Sequence, residues 1–212
     1  MQYEEVESLC RTTYKETGAF YNSIASVSGN LGFKILYSPP AVKPPILFIG
    51  FQPGGGEEDC AREVRAGAHD TWPGACEYAT KDWKLAVWLR RMFGGTFLAR
   101  CVGVNAIFIR AATVDTYKKS VPAHVRNDIA KFCLPRVKSL IDAIEPERIV
   151  AIGFDTLGLF TEGVPSLCNA KGRTLTKTGQ IDSRRAIAAM HLSGAHIANE
   201  DRLAIRDQIL NG

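Results

Sequence analysis

Four short apolar runs punctuate the chain: ILFIG at 46–50, VGVNAIFI at 102–109, RIVAIG at 148–153 and AIAAMHL at 186–192. Each is rich in β-branched or small apolar residues and unbroken by charge, the pattern of strands buried on both faces of a parallel sheet. Between them the apolar positions recur at helical spacing. KDWKLAVWLRRMF (81–93) sets Trp83, Val87, Arg90 and Arg91 one turn apart and ends at Gly94-Gly95. A longer helix is predicted after Ser120, with Pro122 near its first turn. Its apolar face is Ile129, Phe132, Cys133, Val137, Leu140, Ile141 and Ile144, and Pro135 should kink it. Asp155 is expected to cap a short helix after the third strand, and Asn199 to cap the last helix, DRLAIRDQIL. A helix over residues 2–16 and the loop SPPAVKPP form an N-terminal lead-in, residues 1–44.

This alternation predicts an α/β three-layer sandwich: a central four-stranded parallel sheet covered on both faces by right-handed crossovers. Ligands in such sheets bind outside the carboxyl ends of the strands. The residues that follow each strand are therefore the ones to question.

Length and composition fit one domain spanning 1–212, with 46% hydrophobic and 23% charged residues. A chain of this size buries roughly 70% of its unfolded surface and needs no disulfide or metal staple. MQYEEVESLC has neither a basic nor an apolar leader region, so no secretory signal is expected. No apolar run approaches the roughly 18 residues of a membrane span. Six cysteines lie scattered without Cys-x-x-Cys spacing, which reads as reduced thiols in the cytoplasm, without zinc, an iron–sulfur cluster or any other cofactor. The net charge of +4 is concentrated: Lys171, Arg173, Lys177, Arg184 and Arg185 stand in one stretch against Asp182 alone. That stretch reads either as a solvated, mobile loop or as a contact for a phosphate backbone.

Two strand ends carry unusual chemistry. After the first strand comes Gly50-Phe51-Gln52-Pro53-Gly54-Gly55-Gly56. No Gly-Lys-Ser/Thr follows it, and its glycine spacing is not that of a dinucleotide site. Glycines and a proline around one amide instead describe a tight turn whose backbone can approach a ligand. After the last strand comes His191-Leu192-Ser193-Gly194-Ala195-His196, which places a histidine at a strand end as a hydrogen-bond donor.

The pair, in this order, resembles the uracil-DNA glycosylase superfamily. GFQPG is similar to the family's first motif, and HLSG to its second with Leu192 in place of proline. Asn105 in VGVNAIFIR stands where the family has an asparagine on its second strand. RIVAIGFDTLGLF is similar to the third strand and short helix, and KGR…TGQ…AIAAMHLSG to a basic loop leading into the second motif. The resemblance covers about residues 45–210. Gln52 replaces the family's aspartate, asparagine or alanine, and Ala195 stands where many members carry a bulkier wedge. The absence of cysteine pairs separates the chain from the iron–sulfur branch.

The resemblance implies a monomeric DNA glycosylase that extrudes uracil or a related damaged base and hydrolyses its bond to the sugar. Gln52 would position the water, and His191 would stabilise the leaving base. Asn105, Gly50 and Phe51 would line the base site, with Trp72, Tyr78 or Phe51 as the stacking ring. Ser193, Gly194 and His196, together with Lys171, Arg173, Lys177, Arg184 and Arg185, would contact DNA. The resemblance also implies the spatial strand order 2-1-3-4, and the strand-end rule puts Gln52 and His191 within about one residue-length of a shared cleft. The alternative is a weak or inactive module on the same fold that binds nucleic acid or a nucleobase. A small-molecule hydrolase is the more distant third reading, since the chain has no Gly-x-Ser-x-Gly elbow.

Overall fold

The structure, a computed structural model, describes residues 2–28, 31–65, 71–192 and 197–211. The elements follow in the order α1 (Tyr3–Ser28), β1 (Leu47–Gly50), α2 (Glu57–Arg65), α3 (Glu77–Thr80), α4 (Lys84–Phe93), α5 (Gly95–Leu98) and β2 (Val102–Asn105). Then come α6 (Val114–Ser120), α7 (Ala123–Ile144), β3 (Ile149–Ile152), α8 (Phe154–Gly158), β4 (Val164–Cys168), β5 (Thr174–Ile181), β6 (Arg184–Ala189) and α9 (Asn199–Asn211).

One sheet runs β2-β1-β3-β6-β5-β4. The four apolar runs form its parallel part, β2-β1-β3-β6, in the expected order. The expectation of four strands is corrected to six. The basic stretch is no loop: β4, β5 and β6 pair antiparallel at one edge. The reason lies in exposure. An edge hairpin with a wet face carries polar residues, so TLTKTGQI never shows the unbroken apolar run of a doubly covered strand. Register also divides the basic set. Ile181 faces Arg184 and Gln180 faces Arg185 at the amino end of β6, whereas the turn holding Lys171 and Arg173 returns to the carboxyl end.

Alternation along the strands sends side chains into two cores. Leu47, Ile49, Val104 and Ala151 join Tyr14, Tyr117, Ile129, Cys133 and Val137 under α1, α6 and α7. Phe48, Val150 and Ile187 join Tyr78, Leu89, Leu98 and Ile205 under α3, α4, α5 and α9. Burying each large apolar side chain contributes about 1.5–3 kcal/mol. Gly103 is where the second core comes closest to the sheet: a Cβ there would lie 2.5 Å from Tyr78 Cε2 and 3.0 Å from Tyr37 Cβ.

Helix α1 runs to Ser28, well past the expected residue 16. Its buried stripe includes Thr13 and Thr17, whose hydroxyls donate to the carbonyls of Leu9 (2.8 Å) and Thr13 (2.7 Å). Polar letters thus hide a continuous inner face, which includes Phe20 stacked on Phe132 at 4.1 Å and continues through Tyr21. Helix α9 begins at Asn199 itself, and α8 at Phe154 with Gly153 as its cap, so neither Asp155 nor Asn199 caps from outside. Pro135 is accommodated inside α7.

The lead-in contributes more than a connection. Tyr37 N donates to Gly103 O (2.8 Å), Asn105 N to Ile35 O (2.9 Å) and Lys34 N to Phe108 O (2.8 Å). Residues 33–37 therefore lie antiparallel along the outer edge of β2, covering a strand edge that would otherwise be open.

Candidate functional site

β1 and β2 end side by side, with Gly50 opposite Asn105. Asn105 shares its face of the sheet with Gly103, two residues back. It is fully buried, and its Nδ2 donates to Lys34 O at 3.0 Å. The same amide lies close enough to the Tyr37 hydroxyl to ease its ionisation, against the larger effect of burial. Asn105 Oδ1 is buried and has no partner. Gly50 keeps the space before it clear, since a Cβ there would stand 3.0 Å from that oxygen. Burial pushes the Tyr37 hydroxyl up to about 12, so it remains a donor across the physiological range.

Beside this amide opens a cleft of about 440 Å³, lined by Lys34, Tyr37, Gly54, Gly55, Cys60, Arg62, Glu63, Glu77, Lys81, Asp82, Trp83 and Arg110. Two ion pairs brace it. Lys34 Nζ reaches both Glu77 oxygens at 2.7 Å, with both side chains largely buried. Arg110, buried where the chain leaves β2, pairs with Glu63 and lies 3.5 Å from Gly54 O. Removing one partner of the Lys34–Glu77 pair costs about 3–5 kcal/mol because the other charge stays buried alone. Four cations and three carboxylates line the cleft, so the charges nearly cancel and a neutral ligand suits it. The turn that supplies Gly54 and Gly55 needs glycine: Gly55 has φ +146°, and a Cβ there would meet Cys60 Sγ at 2.8 Å.

Gln52 sits on the same turn. Its Nε2 donates to Ala111 O at 3.2 Å, and its Oε1 is buried without a partner. Trp83 Nε1 and Arg110 Nε are orphaned in the same way. Among the described residues, four of the eight buried side-chain polar atoms lacking partners thus belong to this one region, two acceptors and two donors. Buried polar groups are ordinarily satisfied by protein, water or a ligand, so these atoms are the ones a bound molecule with both donors and acceptors could engage.

His191 follows β6 at the same carboxyl edge as Gln52, with β3 between them, a separation of two strand spacings or about 10 Å. It packs beside Gly153, whose φ of +95° favours glycine; a Cβ there would be in ordinary contact with the ring, 3.6 Å from His191 Cδ2. The residue is exposed, yet the protein beside it strips part of its hydration and holds its pKa below the ordinary histidine value. Leu192 is buried in the second core, which gives this position a packing reason for being apolar. None of Gln52, Asn105 and His191 lines the 440 Å³ cleft; Asn105 adjoins it through its bond to Lys34 O.

The remaining expected site residues are dispersed. Tyr78 is buried, stacked on Trp83 at 5.7 Å and wedged against Tyr37 and Phe48. Trp72 packs against Tyr14 with Arg11 over it, beside α1. Phe51 turns toward Tyr117 and Lys118 of α6. Lys177 lies over Phe154, Arg184 is 3.7 Å from Asp142, and Arg185 lies at the amino end of β6. Ser193, Gly194 and His196 lie outside the described residues.

Lys34, Tyr37, Glu77, Trp83 and Arg110 have no counterpart in the sequence reading. The first two come from the lead-in, and the Lys34–Glu77 pair spans 43 positions. Only the interruption of an apolar run by Arg110 gave a local sign. Among the described residues no group of three or more His, Cys, Asp or Glu could hold a metal ion, and no helix is long and apolar enough to cross a membrane. No family model matches the chain, and no curated protein matches it.

Proposed function

We propose that this protein is a DNA glycosylase-like enzyme that hydrolyses the N-glycosidic bond of uracil or a related damaged base. The observation that carries the reading is the pairing of a buried, unpartnered Asn105 Oδ1 with the Tyr37 hydroxyl beside a cleft of balanced charge. Asn105 Nδ2 already gives a hydrogen to Lys34 O. The amide oxygen is then left as an acceptor and the phenol hydrogen as a donor. Uracil presents N3–H and O4 in that order, and cytosine reverses both. Trp83, which lines the cleft, takes the stacking role in place of Tyr78 and Trp72.

His191 donates to O2 of the base, where negative charge develops as the bond breaks. A preorganised donor at such a position contributes about 10²–10³-fold in rate. Gln52 is no base, because a carboxamide does not take up a proton near neutrality, but its free Oε1 orients a water toward the sugar. The chemistry draws on water and fixed dipoles, so excision is expected to proceed unchanged in a chelator.

Crystals soaked with uracil test the recognition step. The base is expected with N3–H on Asn105 Oδ1 and a carbonyl on the Tyr37 hydroxyl. Uracil bound elsewhere, with Asn105 untouched, would remove the basis of the reading.

A further inference from the structure

Away from the cleft, α4 and α9 bring two arginines to one indole. Arg202 Cζ lies 3.5 Å from the centre of the Trp88 ring, and Arg91 Cζ lies 4.7 Å from it. Arg202 Nη1 donates to Asn199 Oδ1 at 3.2 Å, while its Nε is buried and unpartnered. Among the described residues neither arginine is in an ion pair. The nearby Asp201 carboxylate accepts instead from Asn169 Nδ2 at 3.1 Å. Lost hydration and the charge of Arg91 together hold the Arg202 pKa below the ordinary guanidinium value.

Two guanidiniums offer only donors, and like charges do not gather without something to hold them. The indole face supplies part of that attraction. An anion between the guanidinium groups would supply the rest and satisfy the orphaned Nε. Position narrows the choice of anion. Arg202 is in the first turn of α9, which follows β6 and so begins at the carboxyl edge of the sheet. The Asn169–Asp201 hydrogen bond ties that turn to the β4–β5 connection, where Lys171 N and Arg173 N both donate to Asn169 Oδ1 at 3.0 Å. Cationic residues thus follow one another along the edge where His191 stands.

We propose that the Arg91–Trp88–Arg202 cluster binds phosphodiester groups of a nucleic-acid strand, with Lys171 and Arg173 continuing the same track. This rests on the nucleic-acid part of the reading above, and adds a backbone site separate from the base cleft.

The test is fluorescence anisotropy of a labelled oligonucleotide, single-stranded and duplex, across a salt series. Arg91→Gln, Arg202→Gln and their double variant are compared with wild type. Each lost phosphate contact should reduce the slope of log Kobs against log salt by about 0.7 on single strands and about 0.9 on duplex. Arg202→Lys should keep most of the slope, and Arg148→Gln, just before β3 at the opposite edge of the sheet, should keep all of it. Arg91 is exposed, so Arg91→Gln preserves the fold and decides alone if Arg202→Gln unfolds. An unchanged slope in Arg91→Gln overturns the proposal, as does a wild type that binds neither oligonucleotide. Uracil release by the same proteins separates the two claims. A reduced slope without excision upholds the phosphate site and removes the glycosylase reading; excision with an unchanged slope does the reverse.

Discussion

Gly50 and Asn105 end adjacent strands opposite one another, and a methyl group on Gly50 would stand 3.0 Å from Asn105 Oδ1. The glycine therefore keeps a buried acceptor open. Gly50→Ala should lower uracil excision about tenfold or more, the loss of one hydrogen bond of about 1.5 kcal/mol or above. Some thermal destabilisation should accompany it, smaller than at Gly103, because the buried Asn105 amide must give way slightly. Excision at the wild-type rate would show that nothing approaches Asn105 from that side.

Gly103 is a structural counterpart, on the strand and face of Asn105. An added Cβ meets the Tyr78 ring at 2.5 Å, inside a core that cannot give way without moving Tyr37 and Phe48. Gly103→Ala should destabilise by about 1–3 kcal/mol, lowering Tm by roughly 2–4 °C per kcal/mol for a chain of this size. Gly158→Ala, where nothing lies within 4 Å of the new methyl, is the control and should not destabilise. Equal melting curves for the two variants would contradict the packing described.

The parallel half of this fold is legible in the sequence because strands covered on both faces must be apolar throughout. Phe48 and Ile49 serve opposite cores, so neither position tolerates a polar residue. The antiparallel edge is not legible, since Thr174–Ile181 needs only one dry face and fills the other with Thr and Lys. The candidate site divides in the same way. Gln52, Asn105 and His191 stand at strand ends, where a local pattern places them. Lys34, Tyr37 and Glu77 arrive through pairing of residues 33–37 with β2, a long-range contact with no local period to announce it. Aromatic residues near the first motif gave no guide to stacking, because Tyr78 and Trp72 are spent on packing while Trp83 keeps a place in the cleft.

His191 carries a pH signature. Its folded pKa lies below the unfolded histidine value, so the folded state binds the proton less readily. The stability it contributes is fully present above about pH 6.5 and is lost as pH falls through the folded pKa. Wild type should therefore lose stability relative to His191→Ala on acidification below that pH, by a small amount given the exposure of the ring. Parallel Tm-against-pH curves for the two proteins would show that the ring is fully hydrated.

Gln52→Asp exchanges a neutral amide for a carboxylate that can steady the cationic sugar of the transition state. It also gives up the 3.2 Å bond to Ala111 O. Faster excision with unchanged DNA affinity is expected. A slower variant would mean that the Ala111 contact, rather than the water-facing oxygen, is what the position requires.

Single-turnover release of uracil from single- and double-stranded oligonucleotides, measured beside DNA affinity, tests the glycosylase reading most directly. Wild type should release the base, and His191→Ala should slow release by about 10²–10³-fold with affinity nearly unchanged, because the charge it stabilises exists only in the transition state. A wild type that binds these oligonucleotides but releases no uracil, with binding indifferent to His191, would contradict it and leave a nucleic-acid-binding module.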